Sequence, residues 1–91
     1  MHIPYILPNG DKIWSKDTIF HRVGGPALVM DNGDYIEYKR YGERHRIEGA
    51  AVQWSNHKEY WQFGEKHRVK GPAVIWDTGD KEYWLRGKKL I

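Results

Sequence analysis

Three histidines, each followed by an arginine, carry most of the chemistry available to this chain: His21-Arg22, His45-Arg46 and His67-Arg68. Imidazole can move protons or bind a metal, and guanidinium can grip carboxylate or phosphate. Spacing decides among these uses. The histidines lie 24 and then 22 residues apart, whereas metal ligands must converge on one ion, usually as a closely spaced pair plus others. Residues a whole repeat apart stand in a row instead, so no metal site is expected. Each ring is expected to pack on a neighbouring aromatic and to bond a turn carbonyl. Nucleophilic catalysis has no better footing. Ser15 and Ser55 fall in turns, no Ser-His-Asp spacing suits a hairpin, and there is no Gly-rich phosphate loop or isolated carboxylate pair. The chain has no cysteine, which removes thiolate chemistry and disulfides together. A non-catalytic protein without a cofactor is the expectation.

The elements that hold these pairs are copies of one unit. Phe20 to Met30, Arg44 to Trp54 and Lys66 to Trp76 share the pattern His-Arg-aliphatic-x-Gly-Pro/Ala-Ala. Between them, Gly33-Asp34-Tyr35-Ile36-Glu37-Tyr38 matches Gly79-Asp80-Lys81-Glu82-Tyr83-Trp84, and His57-Lys58-Glu59-Tyr60-Trp61 is the same element one residue shorter. Each runs on to a turn glycine, Gly42, Gly64 or Gly87. A fixed period of this kind marks tandem units that stack on their neighbours. One domain over 1–91 is expected, with copies at about 7–30, 31–54, 55–76 and 77–91, the last truncated.

Each copy reads as antiparallel β-structure. Segments such as Ala73-Val74-Ile75-Trp76 are β-branched and aromatic between turn residues. Asp31-Asn32-Gly33-Asp34 and Asp77-Thr78-Gly79-Asp80 read as hairpin turns, and Ser55-Asn56-His57 as a three-residue loop. No window holds a helical period, and Pro26 and Pro72 would break one. With these turns, Trp76 faces Lys81, Val74 faces Tyr83, Trp54 faces Lys58 and Val52 faces Tyr60. One sheet face then carries Leu28, Met30, Val52, Trp54, Tyr60, Val74, Trp76, Tyr83 and Leu85. The other carries Val29, Ile36, Tyr38, Trp61, Phe63, Ile75 and Trp84. The fold class expected is therefore all-β, a single-layer, twisted antiparallel meander of tandem hairpins. Such a layer cannot bury both faces against itself, so a target or a second copy of the chain would have to cover one.

The pattern Gly-x-x-His-Arg-x-x-Gly-Pro-Ala, followed by Asp-x-Gly-x-x-x-Tyr-Trp, resembles the MORN-like repeats of tailed-phage, bacterial and giant-virus proteins. The resemblance covers roughly residues 10–91 and is fullest at Gly64, His67, Arg68, Gly71, Pro72, Ala73, Gly79, Tyr83 and Trp84. It departs at Ala50 in the proline slot, at Asn56-His57 in the turn, and near Asp17, where a glycine is missing. It implies an elongated antiparallel sheet and a role in protein or lipid contact, and it brings no catalytic residues with it. A short protein of this kind resembles phage accessory products that bind and modulate or inhibit a host protein complex.

Protein contact is accordingly expected through Tyr38, Trp61, Phe63 and Trp84, flanked by Arg40 and Arg86, because large rigid aromatics and forked guanidiniums dominate binding energies. The face centred on Trp54 and Trp76 is expected to be the packed one. Nucleic acid is the alternative partner. Arg22, Arg46 and Arg68 with Lys66, Lys70 and Lys88 would form a basic ladder beside stacking aromatics, although Glu43, Glu48 and Glu65 sit among them. The net charge is +3 with both signs interleaved, which gives a mixed solvated surface and no concentrated basic face for a membrane. Met1–Pro4 opens no basic-then-apolar leader, and the longest apolar runs are about four residues. A cytoplasmic protein is expected, in the host cell if the origin is phage.

Overall fold

The computed structural model describes residues 3–90. Among them are fifteen short strands and no α-helix. In chain order they are β1 (Tyr5–Ile6), β2 (Lys12–Ile13), β3 (Ser15–Lys16), β4 (Ile19–Phe20), β5 (Leu28–Met30), β6 (Tyr35–Glu37), β7 (Lys39–Arg40) and β8 (Glu43–Arg44). Then follow β9 (Val52–Gln53), β10 (His57–Glu59), β11 (Trp61–Gln62), β12 (Glu65–Lys66), β13 (Val74–Trp76), β14 (Lys81–Leu85) and β15 (Lys88–Leu90). Nine of them form one open antiparallel sheet in the order β1-β2-β5-β6-β9-β10-β13-β14-β15, and β3–β4, β7–β8 and β11–β12 are separate hairpins. The all-β meander read from the sequence is the observed architecture. No helix among the described residues is long and apolar enough to cross a membrane.

Every copy follows the same path. The chain leaves the long sheet at Trp14, Tyr38 or Tyr60, makes a short hairpin, and returns through His-Arg and the Gly-Pro/Ala-Ala step. The returning alanine closes the gap. Ala27, Ala51 and Ala73 each donate an amide to the carbonyl of Glu37, Glu59 or Glu82, and accept one from Trp14, Tyr38 or Tyr60, at 2.7–2.8 Å. The short hairpins are tied to their neighbours as well. The Gly42, Gly64 and Gly87 amides reach Phe20, Arg44 and Lys66 carbonyls, and the Arg22, Arg46 and Arg68 amides reach Lys39, Trp61 and Trp84 carbonyls. A second row of hairpins thus runs alongside the long sheet. The His-Arg pairs follow the short strands β4, β8 and β12 instead of forming strands themselves. The longest dimension, 41 Å, matches eight inter-strand steps of about 4.8 Å.

The observed register corrects the expected one. Val74 faces Glu82 and Ile75 faces Lys81, while Val52 faces Glu59 and Gln53 faces Lys58. Turn length is the cause. The 31–34 loop does span four residues between Met30 and Tyr35. The Trp76 amide, however, bonds the Asp80 carbonyl across only three, with Gly79 at φ +96°, as in a type I turn closed by a left-handed glycine. Pro8-Asn9-Gly10 closes the same way, and Ser55-Asn56 closes on two residues, with the Trp54 amide on the His57 carbonyl. One residue of slip moves every later side chain of the strand to the opposite face. Trp61 and Trp84 therefore stand on the face of Val52 and Val74, and Tyr60 and Tyr83 move to the face of Val29 and Ile75. Leu28, Met30, Trp54, Trp76, Ile36 and Tyr38 stay where the sequence puts them.

The core is a thin line of small and β-branched side chains. Ala27, Ala51 and Ala73 are fully enclosed, with Val52 and Val74 the largest side chains wholly removed from solvent. Trp14, Leu28 and Tyr35 extend the line. All four short turns place both central residues at positive φ: Asp17-Thr18, Tyr41-Gly42, Phe63-Gly64 and Arg86-Gly87. This is the type I′ geometry whose twist matches a hairpin. Three of them use glycine in the second position. Thr18 sits there at φ +66°, a conformation that a β-branched residue rarely adopts. Thr18→Gly is therefore expected to stabilise the fold by about 1 kcal/mol, read as a rise in the urea midpoint with unchanged slope. A loss of stability would show that the threonine is not strained.

Candidate functional site

The His-Arg pairs turn out to be structural joints. Each guanidinium lies flat on the ring that starts its copy: Arg22 on Trp14 at 4.0 Å, Arg46 on Tyr38 at 4.0 Å, Arg68 on Tyr60 at 3.9 Å. One Nη1 donates to the Pro26, Ala50 or Pro72 carbonyl at 3.2 Å. The opposite side is closed by Gly25, Gly49 and Gly71. A Cβ there would stand 2.7, 3.0 and 3.2 Å from the nearest guanidinium atom. The recurring glycine thus leaves room for the arginine, whose guanidinium would have to shift if a Cβ were added. The cation–π contact, the carbonyl bond and the missing Cβ form one ring–guanidinium–glycine stack per copy.

The histidines clip each copy to the next. His21, His45 and His67 accept, at Nδ1, the backbone amides of Tyr41, Phe63 and Arg86 at 2.9–3.0 Å. These amides head the type I′ turns. Two of the rings also pack on the turn aromatic, His21 on Tyr41 at 4.3 Å and His45 on Phe63 at 4.4 Å. The expected ring packing is present, but the turn group that meets Nδ1 is an amide, not a carbonyl. An accepting Nδ1 requires a neutral ring. Burial, with Arg40 nearby, holds His45 below its ordinary value of 6.5. No three His, Cys, Asp or Glu side chains among the described residues come together as a metal-ligand group.

Between these joints the loop side of the molecule is furrowed. Two depressions of about 370 and 390 Å³ lie on either side of the Arg46-Ile47-Glu48 loop, and both include those three residues in their walls. The first also has Arg22, Tyr38 and Arg40, and the second Tyr60, Arg68 and Lys70. Smaller hollows of about 160 and 310 Å³ continue them, meeting at Phe63. At the tip of each loop stands an exposed aliphatic side chain: Val23 at 66%, Ile47 at 69% and Val69 at 76% exposure. These occupy the same place in all three copies and stand mostly in solvent. The ion pairs among the described residues involve Lys39, Arg44 and His57 with Glu37 and Glu59, so Arg22, Arg40, Arg46, Arg68 and Lys70 have no carboxylate partner among them.

The opposite face holds the carboxylates. Glu37, at 3% exposure, accepts from the Tyr35 hydroxyl and from Arg44 Nε at 2.7 Å, with Lys39 3.5 Å away. Glu59 accepts from Trp61 Nε1 at 2.8 Å and faces His57 Nε2 at 2.8 Å, and Glu82 accepts from Trp84 Nε1 at 2.9 Å. Burial alone would raise both the Glu37 and Glu59 carboxyls. The donors around them outweigh it and hold both below their ordinary value. The same burial and the Glu37 carboxylate push the Tyr35 phenol up to about 12. Beside this row runs a file of rings, Tyr35 against Trp54 at 4.2 Å and His57 between Trp54 and Trp76 at 6.4 and 4.3 Å.

The six contact residues expected from sequence do not share a face. Tyr38, Arg40, Phe63 and Arg86 line the furrows. Trp61 and Trp84 stand on the carboxylate side, each within reach of Lys66, at 5.7 and 4.6 Å. Trp54 is substantially exposed instead of packed away. The alternative basic ladder divides in the same manner. Arg22, Arg46, Arg68 and Lys70 are in the furrows, Lys66 lies over the tryptophans, and Lys88 is exposed on β15. Two features escaped sequence reasoning, the carboxylate row and the aliphatic loop tips. Both recur in phase with the repeat, which is the signal that could have found them. Comparison with protein-family models, curated proteins and solved structures found no match.

Two outcomes follow from these joints. Gly49→Ala puts a Cβ 3.0 Å from Arg46 Cζ, so the guanidinium must shift over Tyr38, at a cost of about 1 kcal/mol or less. Arg46→Met should cost a similar amount, and the double variant little more than either. Full additivity in urea melts would show that glycine and arginine act separately. Acid should weaken the fold in two stages. An unfolded chain takes up protons on histidine as pH falls past 6.5, where folded His45 still resists, and on carboxylates below 4.5, where Glu37 and Glu59 resist. Stability is thus full above about pH 6.5 and declines on acidification. His45→Asn, which keeps an acceptor that does not titrate, should flatten the upper stage of the urea midpoint against pH.

Proposed function

We propose that this chain is a non-catalytic protein-binding module whose docking surface is the furrowed loop side. The observation that carries this reading is the periodic exposure of Val23, Ile47 and Val69. Apolar side chains raised into water at every repeat bury little surface in the fold, and together with guanidiniums that lack a carboxylate partner among the described residues they make the mixed apolar and cationic surface that protein partners use. The histidines, the residues best suited to proton transfer, are already engaged in holding turn amides. The surface retains four residues expected from the sequence, Tyr38, Arg40, Phe63 and Arg86, and adds the loop tips. Nucleic acid fits it less well. The rings of Trp14, Tyr38 and Tyr60 already carry guanidiniums on one face, whereas single-strand binding needs open aromatic faces for the bases.

The MORN-like repeat pattern, with its likeness to phage accessory proteins, directs the search for a target to bacterial lysate. Immobilised protein should retain a discrete protein in nuclease-treated lysate, and Ile47→Asp with Val69→Asp should release it at an unchanged melting temperature. Retention that nuclease abolishes, or that both substitutions leave intact, overturns the assignment.

A further inference from the structure

The furrows have a pitch as well as a charge. Each repeat contributes two strands to the long sheet, so equivalent positions recur about every 9.6 Å along it. The 41 Å long axis agrees with that spacing. A polyproline-II chain rises about 3.1 Å per residue with three residues per turn, and so returns the same side every 9.3 Å. A β-strand does not, because its residues i and i+3 point to opposite sides.

The charge selects the side chains. Arg22, Arg46 and Arg68 each keep one Nη1 on a loop carbonyl, and none has a carboxylate partner among the described residues. The chain's own buried acids, Glu37 and Glu59, are engaged on the opposite face. Resting on the protein-binding reading, we infer that the furrowed side takes an acidic peptide segment in the polyproline-II conformation. Its carboxylates, at every third residue, seat against Arg22, Arg46 and Arg68. The residues between them lie along Val23, Ile47 and Val69, with Ile47 on the loop between the two larger furrows.

The test is fluorescence anisotropy at about 0.15 M salt with three labelled probes. These are a peptide of four Glu-Pro-Pro units, an isomer of equal composition with glutamate at every second position, and an oligothymidylate. The Glu-Pro-Pro peptide should bind at least ten-fold more tightly than its isomer. Ile47→Asp should weaken it at least ten-fold while the melting temperature holds. Equal binding of the two peptides reduces the effect to bulk charge and overturns the inference, as does tighter binding of the oligonucleotide. If neither peptide binds while a lysate protein is still retained in an Ile47-dependent manner, the peptide inference falls and the protein-binding reading stands.

Discussion

A sheet one layer thick has to shield its apolar row without a second layer, and the arrangement of charges in this protein depends on that constraint. Val52 lies between Glu37 and Glu59 on neighbouring strands. The Arg44 side chain reaches both carboxylates, at 2.7 and 3.9 Å, and so spans the valine between them. Val74 has Glu59 and Glu82 in the same flanking places, with Trp61 and Trp84 bonded to those acids. Burying carboxylates carries a desolvation cost that only full pairing offsets. Glu37 and Glu59 receive donors from their own strands and from the adjacent hairpin, and Glu82 receives the Trp84 indole of its own strand. Polar side chains thus act as the missing layer. Acids committed to this cover do not reach the cations of the loop side, where Arg22, Arg40, Arg46, Arg68 and Lys70 outnumber Glu48 along the two larger furrows.

The second organising contact is the stack of ring, guanidinium and glycine. It explains why the motif has its particular residues. The arginine packs on an aromatic ring and beside a glycine that leaves it room, and the alanine after the proline slot must be small because it is enclosed between two strands. In the middle copy Ala50 occupies the proline slot. Its carbonyl still receives the Arg46 bond at the same 3.2 Å, so the bend does not depend on the proline ring.

The sequence was most legible where a local rule acts alone. Turn glycines at Gly42, Gly64 and Gly87 marked the turns whose type I′ geometry the backbone angles reveal, and the histidine spacing placed the three rings in a row, one per copy. Register was less legible because it depends on how many residues a turn consumes. Loops 31–34, 77–79 and 55–56 close on four, three and two residues, and Gly33 and Gly79 look alike in sequence. Counting four at 77–80 put Trp84 on the wrong face, and counting three at 55–57 did the same for Trp61. The carboxylates escaped notice for another reason. Glu37, Glu59 and Glu82 read as ordinary solvated charges until pairing brings an arginine or an indole to each. The loop tips carry no local signal of exposure, since Val and Ile favour strands; only their position beyond β4, β8 and β12 leaves them in water.

The histidine clip has a bearing on how such an array holds together. Each Nδ1 accepts an amide from the turn of the following copy. Cohesion is therefore nearest-neighbour, like that of a zipper whose teeth engage in sequence. Such an array frays inward from whichever end has fewer clips, and its middle copies outlast its ends in hydrogen exchange. It can also lengthen or shorten by whole cassettes of 22 to 24 residues without a new kind of contact, because every interior joint is chemically the same as the next.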